Sequence, residues 1–359
     1  MAVKPTVLVV GAGLIGASIA RHLARAGAAV MVIDAGEPGG LATRASWGWI
    51  NACWGNPQAY FRLRLAAIAE WHRLAVEVPG VGVNWCGGLI WDLPQSELDQ
   101  YAEQHGTWGY DIRPVTRAQI LALEPSLKSA PEQAYHVPVE GMLEPLQAAS
   151  ALLADARKCG AEIIAPMSAR WLVEKHGKVV GVQTEEGALH ADETVVAAGT
   201  ATASLIDSIG LRLSLTAPPG LLAHTKPLPK LLNGLVMTPG LHIRQTTAGR
   251  VVAGTDFAGA DPVNRAGEMS EDLMVKLRAL VAGAERATLD FHTTGLRPTP
   301  ADGFPAAGRL QGRAGLYAAV THSGVTLAAI LGRFVAEELL DGRRDPLLAP
   351  YSPDRAELQ

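Results

Sequence analysis

An α/β fold, in which a Rossmann-type dinucleotide-binding domain is joined to a second, α+β mixed-sheet domain, follows from three features of the sequence. The chain opens on an apolar strand, a G-x-G-x-x-G turn, a helix and a second strand that ends in an acid. Near its end the order strand, polar glycine turn, helix returns. Between the two lie short, interrupted strands and helices that do not continue the βαβ alternation.

In residues 7–34, VLVVGAGLIGASIARHLARAGAAVMVID, the β-branched run 7–10 suits a strand buried on both faces. Gly11 permits the tight turn, Gly13 lets backbone approach a pyrophosphate, and Gly16 lets the helix pack on the strand. Apolar side chains at helical spacing run from Leu14 and Ile15 to Ala24, and Gly27 is placed to cap that helix. The next apolar run, 29–33, ends on Asp34. A carboxylate there accepts both hydroxyls of an adenosine ribose and repels a 2′-phosphate, while the pyrophosphate would sit on the amides that open the first helix. The pattern specifies a dinucleotide and leaves FAD and NAD open.

Size and composition bound the rest. With 359 residues the chain exceeds the usual single domain, and 48% hydrophobic against 18% charged residues support a large core. A net charge of −4 gives no electrostatic case for nucleic acid or an anionic membrane surface. No apolar run is long enough for a membrane span, and MAVKPTVLVV runs directly into the first strand, leaving no room for a signal peptide. Cys53, Cys86 and Cys159 form no C-x-x-C pair. They argue against a disulfide framework, an iron–sulfur cluster or a structural zinc, so a reducing, cytoplasmic compartment and no metal are expected.

After Asp34 comes a small-residue connection and then LATRASWGWINACWGNP, where Thr43, Ser46 and Gly48 are placed to reach phosphate or ring. Trp47, Trp49 and Trp54 supply flat apolar surface for core or for a ligand cavity. Residues 60–78 read as an amphipathic helix, 83–93 as a strand bent at Gly87-Gly88, and 95–105 and 116–123 as helices. A helix opens at Pro145 and runs to about Lys158. Short strands follow at 162–165, 168–175, 178–184 and around Leu189, with a buried strand from Glu193 ending in the small residues Ala197, Ala198 and Gly199. LLAHTKPL, LHIRQTTAGRVVAGTDF and TLDFHTTGLRPTP are strand candidates, with a helix near residues 271–281. The turn at 247–249 sets Ile243 and Arg244 beside Val251 and Val252. A strand at 316–320, the turn Thr321-His322-Ser323-Gly324 and a helix over 325–340 close the chain.

Four stretches carry a resemblance: VVGAGLIGASIARHLARAGAAVMVID, TVVAAGT at 194–200, GLRPTPADGFPAAG at 295–308 and GLYAAVTHSGVTLAAILGR at 315–333. In this order they resemble the FAD-dependent amino-acid oxidase family that contains D-amino-acid oxidase, glycine oxidase, sarcosine oxidase and the D-amino-acid dehydrogenases. The resemblance implies an FAD-binding domain built from 1–58, 142–210 and 295–350, and a substrate domain built from 59–141 and 211–294. It implies FAD contacts from Gly11, Gly13, Leu14, Ile15 and Gly16, and from Asp34 and Ala35. A second loop would add Thr43, Arg44, Ala45, Ser46, Gly48 and Trp49. Ala169, Ala198 and Gly199 would lie along the chain's return. Ser323, Gly324, Val325 and Thr326 would point amides at the flavin N1/C2=O edge, where a helix N-terminus stabilises negative charge.

On the substrate side, Arg297 in GLRP matches the arginine that grips the substrate carboxylate, a task suited to the paired donors of a guanidinium. Arg244 is the second candidate, and Trp49 and His322 complete the set, His322 beside the flavin. Two departures from sarcosine oxidases matter. No cysteine follows Cys159, which excludes covalent attachment in the C-terminal third and implies non-covalent FAD. GRVVAGTDF has Val251 and Val252 where those enzymes place an oxygen-activating lysine, which leaves oxidase and dehydrogenase open.

The implied reaction removes a hydride from the carbon bearing a neutral amine, delivers it to flavin N5 and releases an imine. It needs orientation more than acid–base help, so no catalytic dyad is expected, and no G-x-S-x-G or H-E-x-x-H occurs. Oxygen or another acceptor would reoxidise the flavin. The rivals are a dehydrogenase subunit feeding a quinone or partner protein, an NAD-dependent dehydrogenase and a non-catalytic FAD-binding protein. The HSGVT turn argues against NAD. Homo- or hetero-oligomerisation stays open. Trp47, Trp49, Trp85 and Trp91 suggest a bulky or apolar amine where they line the cavity.

Overall fold

The computed structural model describes residues 4–255 and 262–359. The end of one strand candidate, Asp256-Phe257, and the first three residues lie outside the described residues.

Six strands form one sheet in the order Ala306–Arg309, Leu316–Val320, Glu193–Val196, Thr6–Val10, Ala29–Ile33, Glu162–Ile164. All pair in parallel except Ala306–Arg309, which joins antiparallel at one edge. Val10 lies opposite both Ile33 and Val196, so these strands end flush. The residues that follow them, Gly11, Asp34 and Ala197, therefore line one edge of the sheet, with Thr321 close by beyond Val320. That carboxyl edge is where open α/β sheets hold ligands.

The glycines make the edge compact. Gly11 has φ +108°, and a Cβ there would lie 2.4 Å from the Ala197 carbonyl oxygen. A Cβ on Gly16 would lie 1.9 Å from the Gly11 carbonyl oxygen, so the helix Leu14–Arg25 rests directly on backbone. That helix packs between Pro145–Lys158 and Gly324–Asp341. At the second crossing Gly332 faces Ser18 so closely that an added Cβ would sit 2.2 Å from Ser18 Oγ. Gln58–Glu77 also packs on the last helix: the fully buried Trp71 indole donates to the Val325 and Thr326 carbonyls, each at 3.0 Å.

The second sheet has eight strands in the order Leu289–Leu296, Pro219–Thr225, Val251–Gly254, Leu241–Gln245, Leu235–Thr238, Gly88–Ile90, Gln133–Val137, Arg113–Thr116. It is antiparallel except where Leu235–Thr238 meets Gly88–Ile90. The helix Ala266–Leu280 covers one face, burying Leu273, Met274 and Leu277 against Leu221, Ile243 and Val251. By strand alternation Leu222, His242, Arg244 and Gly254 share the other face.

Several elements differ from the sequence expectation. The helix begins at Ala266, ahead of residue 271. Leu235–Thr238 was not anticipated, because three apolar residues and a threonine between Asn233-Gly234 and Pro239-Gly240 carry no periodicity, and pairing on both sides makes them a strand. Arg113–Thr116 holds Pro114 and sits at the sheet edge, where a missing N–H is tolerated. Among the described residues no helix is long and apolar enough to cross a membrane.

Gly332→Ala is predicted to lower stability by about 1–3 kcal/mol through overpacking of the helix crossing. Gly106→Ala, on the helix Gln95–Thr107 with nothing within 4 Å of the added methyl, raises it by about 0.4–1 kcal/mol. Urea midpoints at constant slope read both, and shifts of the same sign would contradict this account.

Candidate active site

The carboxyl edge of the first sheet and the open face of the second enclose a cavity of about 1630 Å³. This exceeds the roughly 300–1,000 Å³ of a pocket for one small ligand. Every site residue expected from the sequence lines it except Gly16 and Arg244. Gly16 points down onto Gly11 and serves packing alone. Arg244 is 2% exposed and gives both terminal nitrogens to Glu144, at 2.6 and 3.2 Å, so its guanidinium is already spent on an internal ion pair.

On the side of the first sheet, the wall is made of backbone donors and one carboxylate. Asp34 is aimed by two amides: Ala12 N–H donates to Oδ2 at 2.7 Å and Gly36 N–H to Oδ1 at 2.9 Å. Thr43 Oγ1 accepts from Leu14 N–H at 3.1 Å, which ties the second loop to the first helix. Gly40 allows that approach, since a Cβ there would lie 3.3 Å from Gly13 Cα. Neither Gly13 nor Ser323 caps its helix with a side chain, so the first turns of Leu14–Arg25 and Gly324–Asp341 present their positive ends to the cavity. A Cβ on Gly199 would meet nothing within 4 Å, and one on Gly324 only Ile15. An acid at one end, two helix N-termini and glycine-cleared walls fit an extended dinucleotide.

The other side is made of side chains. Trp47, Trp49 and Trp54 line the cavity; Trp85 and Trp91 do not, and Trp85 instead stacks on His72 at 3.7 Å. Trp49 is fixed by its indole N–H, which donates to Glu140 Oε2 at 2.7 Å. Glu140 is wholly buried and also accepts from Tyr110 OH at 2.5 Å and Cys53 Sγ at 2.9 Å. Burial pushes its carboxyl up to about 7, and burial likewise drives the Cys53 thiol and the Tyr110 phenol well up.

Two arginines line the cavity with no carboxylate in ion-pair distance among the described residues. Arg64, 7% exposed, donates to the backbone and side-chain oxygens of Asn51. Arg297 is half-buried and lies over Gly220, where a Cβ would come within 2.9 Å of its guanidinium. The space that Gly220 leaves holds that side chain, while its cross-strand partner Gly295 makes room for Ala45, 2.6 Å from where a Cβ would lie. Asp92 and His242 meet on the same wall, Oδ2 to Nε2 at 3.3 Å, with the Trp47 ring 6.0 Å from the imidazole. His322 is exposed at the turn before the last helix.

Arg64, Glu140, Asp92 and His242 were not singled out in the sequence. Arg64 is one of several arginines on an amphipathic helix, and Glu140 sits beside a glycine turn with no pattern around it. Only the position of His242, two residues from Arg244 on one strand face, was a usable signal.

Comparison with known proteins gives one family and a consistent fold. The family model described as FAD dependent oxidoreductase matches residues 6–338. A glycine oxidase of Bacillus licheniformis is 28% identical over 351 residues, covering 93% of this chain and 92% of that protein. Hydrogen cyanide synthase subunit HcnC of Pseudomonas aeruginosa is 27% identical over 406 residues, covering 98% and 97%. The crystal structure of glycine oxidase from Bacillus cereus superposes with a TM-score of 0.86 at 23% identity over 99% of this chain and all of that one, a likeness of fold.

The state of Glu140 predicts a pH dependence of stability. An ordinary glutamate titrates near 4.5, whereas Glu140 holds its proton to about 7. The folded state therefore binds the extra proton, and the stability this contributes at low pH is lost as pH rises through that window. Glu140→Gln should flatten the fall in melting temperature between about pH 5 and about pH 7.5. Parallel curves for variant and wild type would locate that proton elsewhere.

Proposed function

This chain belongs to the FAD-dependent oxidoreductase family, and from that premise we propose that it oxidises the C–N bond of an amino acid or amine to an imine, acting as an oxidase with non-covalently held FAD. The observation that carries this reading is Arg297: a half-buried guanidinium on the cavity wall, free of any ion pair among the described residues, over the space that Gly220 leaves. A carboxylate presented to it would gain two parallel donors and one fixed orientation. The glycine oxidase relatives act, by their name, on an amino acid.

Asp34 would take the ribose hydroxyls, the Gly13–Leu14 turn the pyrophosphate, and the first amides of Gly324–Asp341 the electron-rich edge of the ring. FAD bound there supplies a two-electron acceptor for the substrate hydride. Arg297 holds the carboxylate, and Trp47, Trp49 and Trp54 keep water from the reacting carbon. Of the three cysteines only Cys53 reaches the cavity, and its thiol donates to Glu140, which supports non-covalent binding. Three free thiols fit a reducing, cytoplasmic compartment.

A second reading concerns the acceptor alone. HcnC is named as a subunit, and the strand Val251–Gly254 carries no lysine. Both favour a dehydrogenase passing electrons to a quinone or partner protein.

The test is the visible spectrum of the purified protein under anaerobic conditions, before and after a panel of amino acids of both configurations and secondary amines. Bleaching by one member followed by recovery in air supports the oxidase; bleaching that air leaves untouched supports the second reading. A colourless protein that cannot be reconstituted with FAD sinks both. Arg297→Ala should raise KM for carboxylated substrates by about tenfold to a hundredfold at unchanged flavin content, the loss of one or two charge-assisted hydrogen bonds. An unchanged KM would remove Arg297 from the site.

A further inference from the structure

We propose that His242, backed by Asp92, accepts the proton of the substrate's ammonium group, an acid–base pair that the sequence did not lead one to expect and an inference that rests on the amine-oxidation reading above. Hydride can leave the α-carbon only when the nitrogen lone pair is free to form the C=N bond. Amines are protonated near neutral pH, so that lone pair must first be released. Imidazole is the side chain suited to take such a proton at neutral pH.

The pair is formed by residues far apart in sequence. His242 stands on Leu241–Gln245, and Asp92 follows Gly88–Ile90, the next strand but one. Trp91 N–H donates to the Met237 carbonyl at 2.9 Å, which extends the ladder and fixes the chain just before Asp92. The Nε2–Oδ2 separation is 3.3 Å, and both side chains line the cavity, 19% and 15% exposed. Asp92 Oδ1 is buried with no hydrogen-bond partner among the described residues. The carboxylate thus has capacity to hold an imidazolium that forms beside it.

The floor between His242 and Arg297 is of the right scale. His242 lies opposite Gly254, whose neighbour on the next strand is Leu222, and Gly220 under Arg297 is two residues further along. Two strand spacings, about 10 Å, with a two-residue offset of about 7 Å along the strand, put the Gly220 backbone about 12 Å from that of His242, a gap that the two side chains narrow from either end. In this proposal an amino acid with its carboxylate on Arg297 would direct its amine along the floor of Gly220, Leu222 and Gly254 toward the imidazole.

Among the described residues, the other charged or titratable groups of this face near the pair are occupied, Tyr135 donating to Asp99 at 2.6 Å. Arg244 is bound to Glu144, His224 stacks on Phe291 and meets Thr293 at 3.1 Å, and Glu140 is buried among its three donors. Asp92 is the carboxylate that ion-pairs with His242 among the described residues. In the step, one N–H bond of the ammonium breaks and one forms on His242, the charge resting beside Asp92. The freed pair becomes the second bond of C=N as the hydride departs to the two-electron acceptor, leaving a protonated imine.

The experiment is anaerobic stopped-flow reduction of the holoenzyme, by the amino acid that bleaches wild type, from about pH 6 to about pH 10. His242→Gln should slow the limiting rate about a hundredfold at neutral pH with little change in substrate Kd, and recover toward wild type at high pH, where the amine enters uncharged. Asp92→Asn, which keeps the imidazole, should show the same trend at about tenfold. Arg297→Ala should instead raise Kd at every pH. Flavin content and melting temperature verify that each variant is folded, and Asp92→Asn carries the test where His242→Gln does not fold. Profiles for both variants that run parallel to wild type, or match it, overturn the proposal while leaving the amine reading intact. A wild-type flavin that no amine bleaches overturns that reading and this one with it.

Discussion

The carbonyl oxygen of Ala197 lies 2.4 Å from where Gly11 would carry a Cβ, and that of Gly11 lies 1.9 Å from where Gly16 would carry one. No side chain fits at either point, so strand end, turn and helix meet backbone to backbone. Everything at the cavity depends on this contact. It brings the first helix down onto the sheet and aims its first turn, whose Leu14 amide is held by Thr43, over the strand ends. It also keeps Asp34 within reach of the Ala12 amide that orients it. A larger residue at either glycine would lift the helix and separate the acid from the amides.

The distribution of charge follows a similar logic. Deeply placed arginines away from the cavity are matched: Arg21 with Glu77 and Asp155, Arg244 with Glu144, Arg355 with Asp302. A buried cation left alone is costly, and these partners remove that cost. Arg64 and Arg297 break the rule, and both line the cavity. Unmatched positive charge is thus kept where a ligand's negative charge would complete it. On the same wall as Arg297, Asp92 and His242 form a polar pair beside Trp47.

Much of this was legible in the sequence, unevenly. The first βαβ unit, the strand at Leu316–Val320 and the last helix follow from runs of apolar residues between glycines, because a strand buried on both faces and a helix on a sheet leave strong local patterns. The loop at 43–49 and the turn at 321–324 were readable for the same reason. Leu235–Thr238 and Ala306–Arg309 were not: short, with little propensity of their own, they exist because a partner strand pairs with them. Trp49 and Trp85 looked alike in sequence; in the fold Glu140 fixes one on the cavity wall, while the other lies half-buried outside it, stacked on the exposed His72.

The two halves of the cavity differ in legibility for a physical reason. A dinucleotide cradle works through backbone, so it demands the absence of side chains at fixed spacings, and glycine records that absence directly. A substrate wall on an antiparallel sheet works through side chains that meet across strands. Which ones meet depends on register, and a shift of one residue would send His242 to the buried face under Ala266–Leu280. The same ambiguity applied to Arg244 and Arg297, both strand-borne guanidiniums suited to a carboxylate. What separates them is Glu144, which sits 2.6 Å from one and leaves the other to the cavity. The role of a charged side chain on such a sheet is set by its nearest opposite charge, a fact of the folded register that one strand's sequence does not contain.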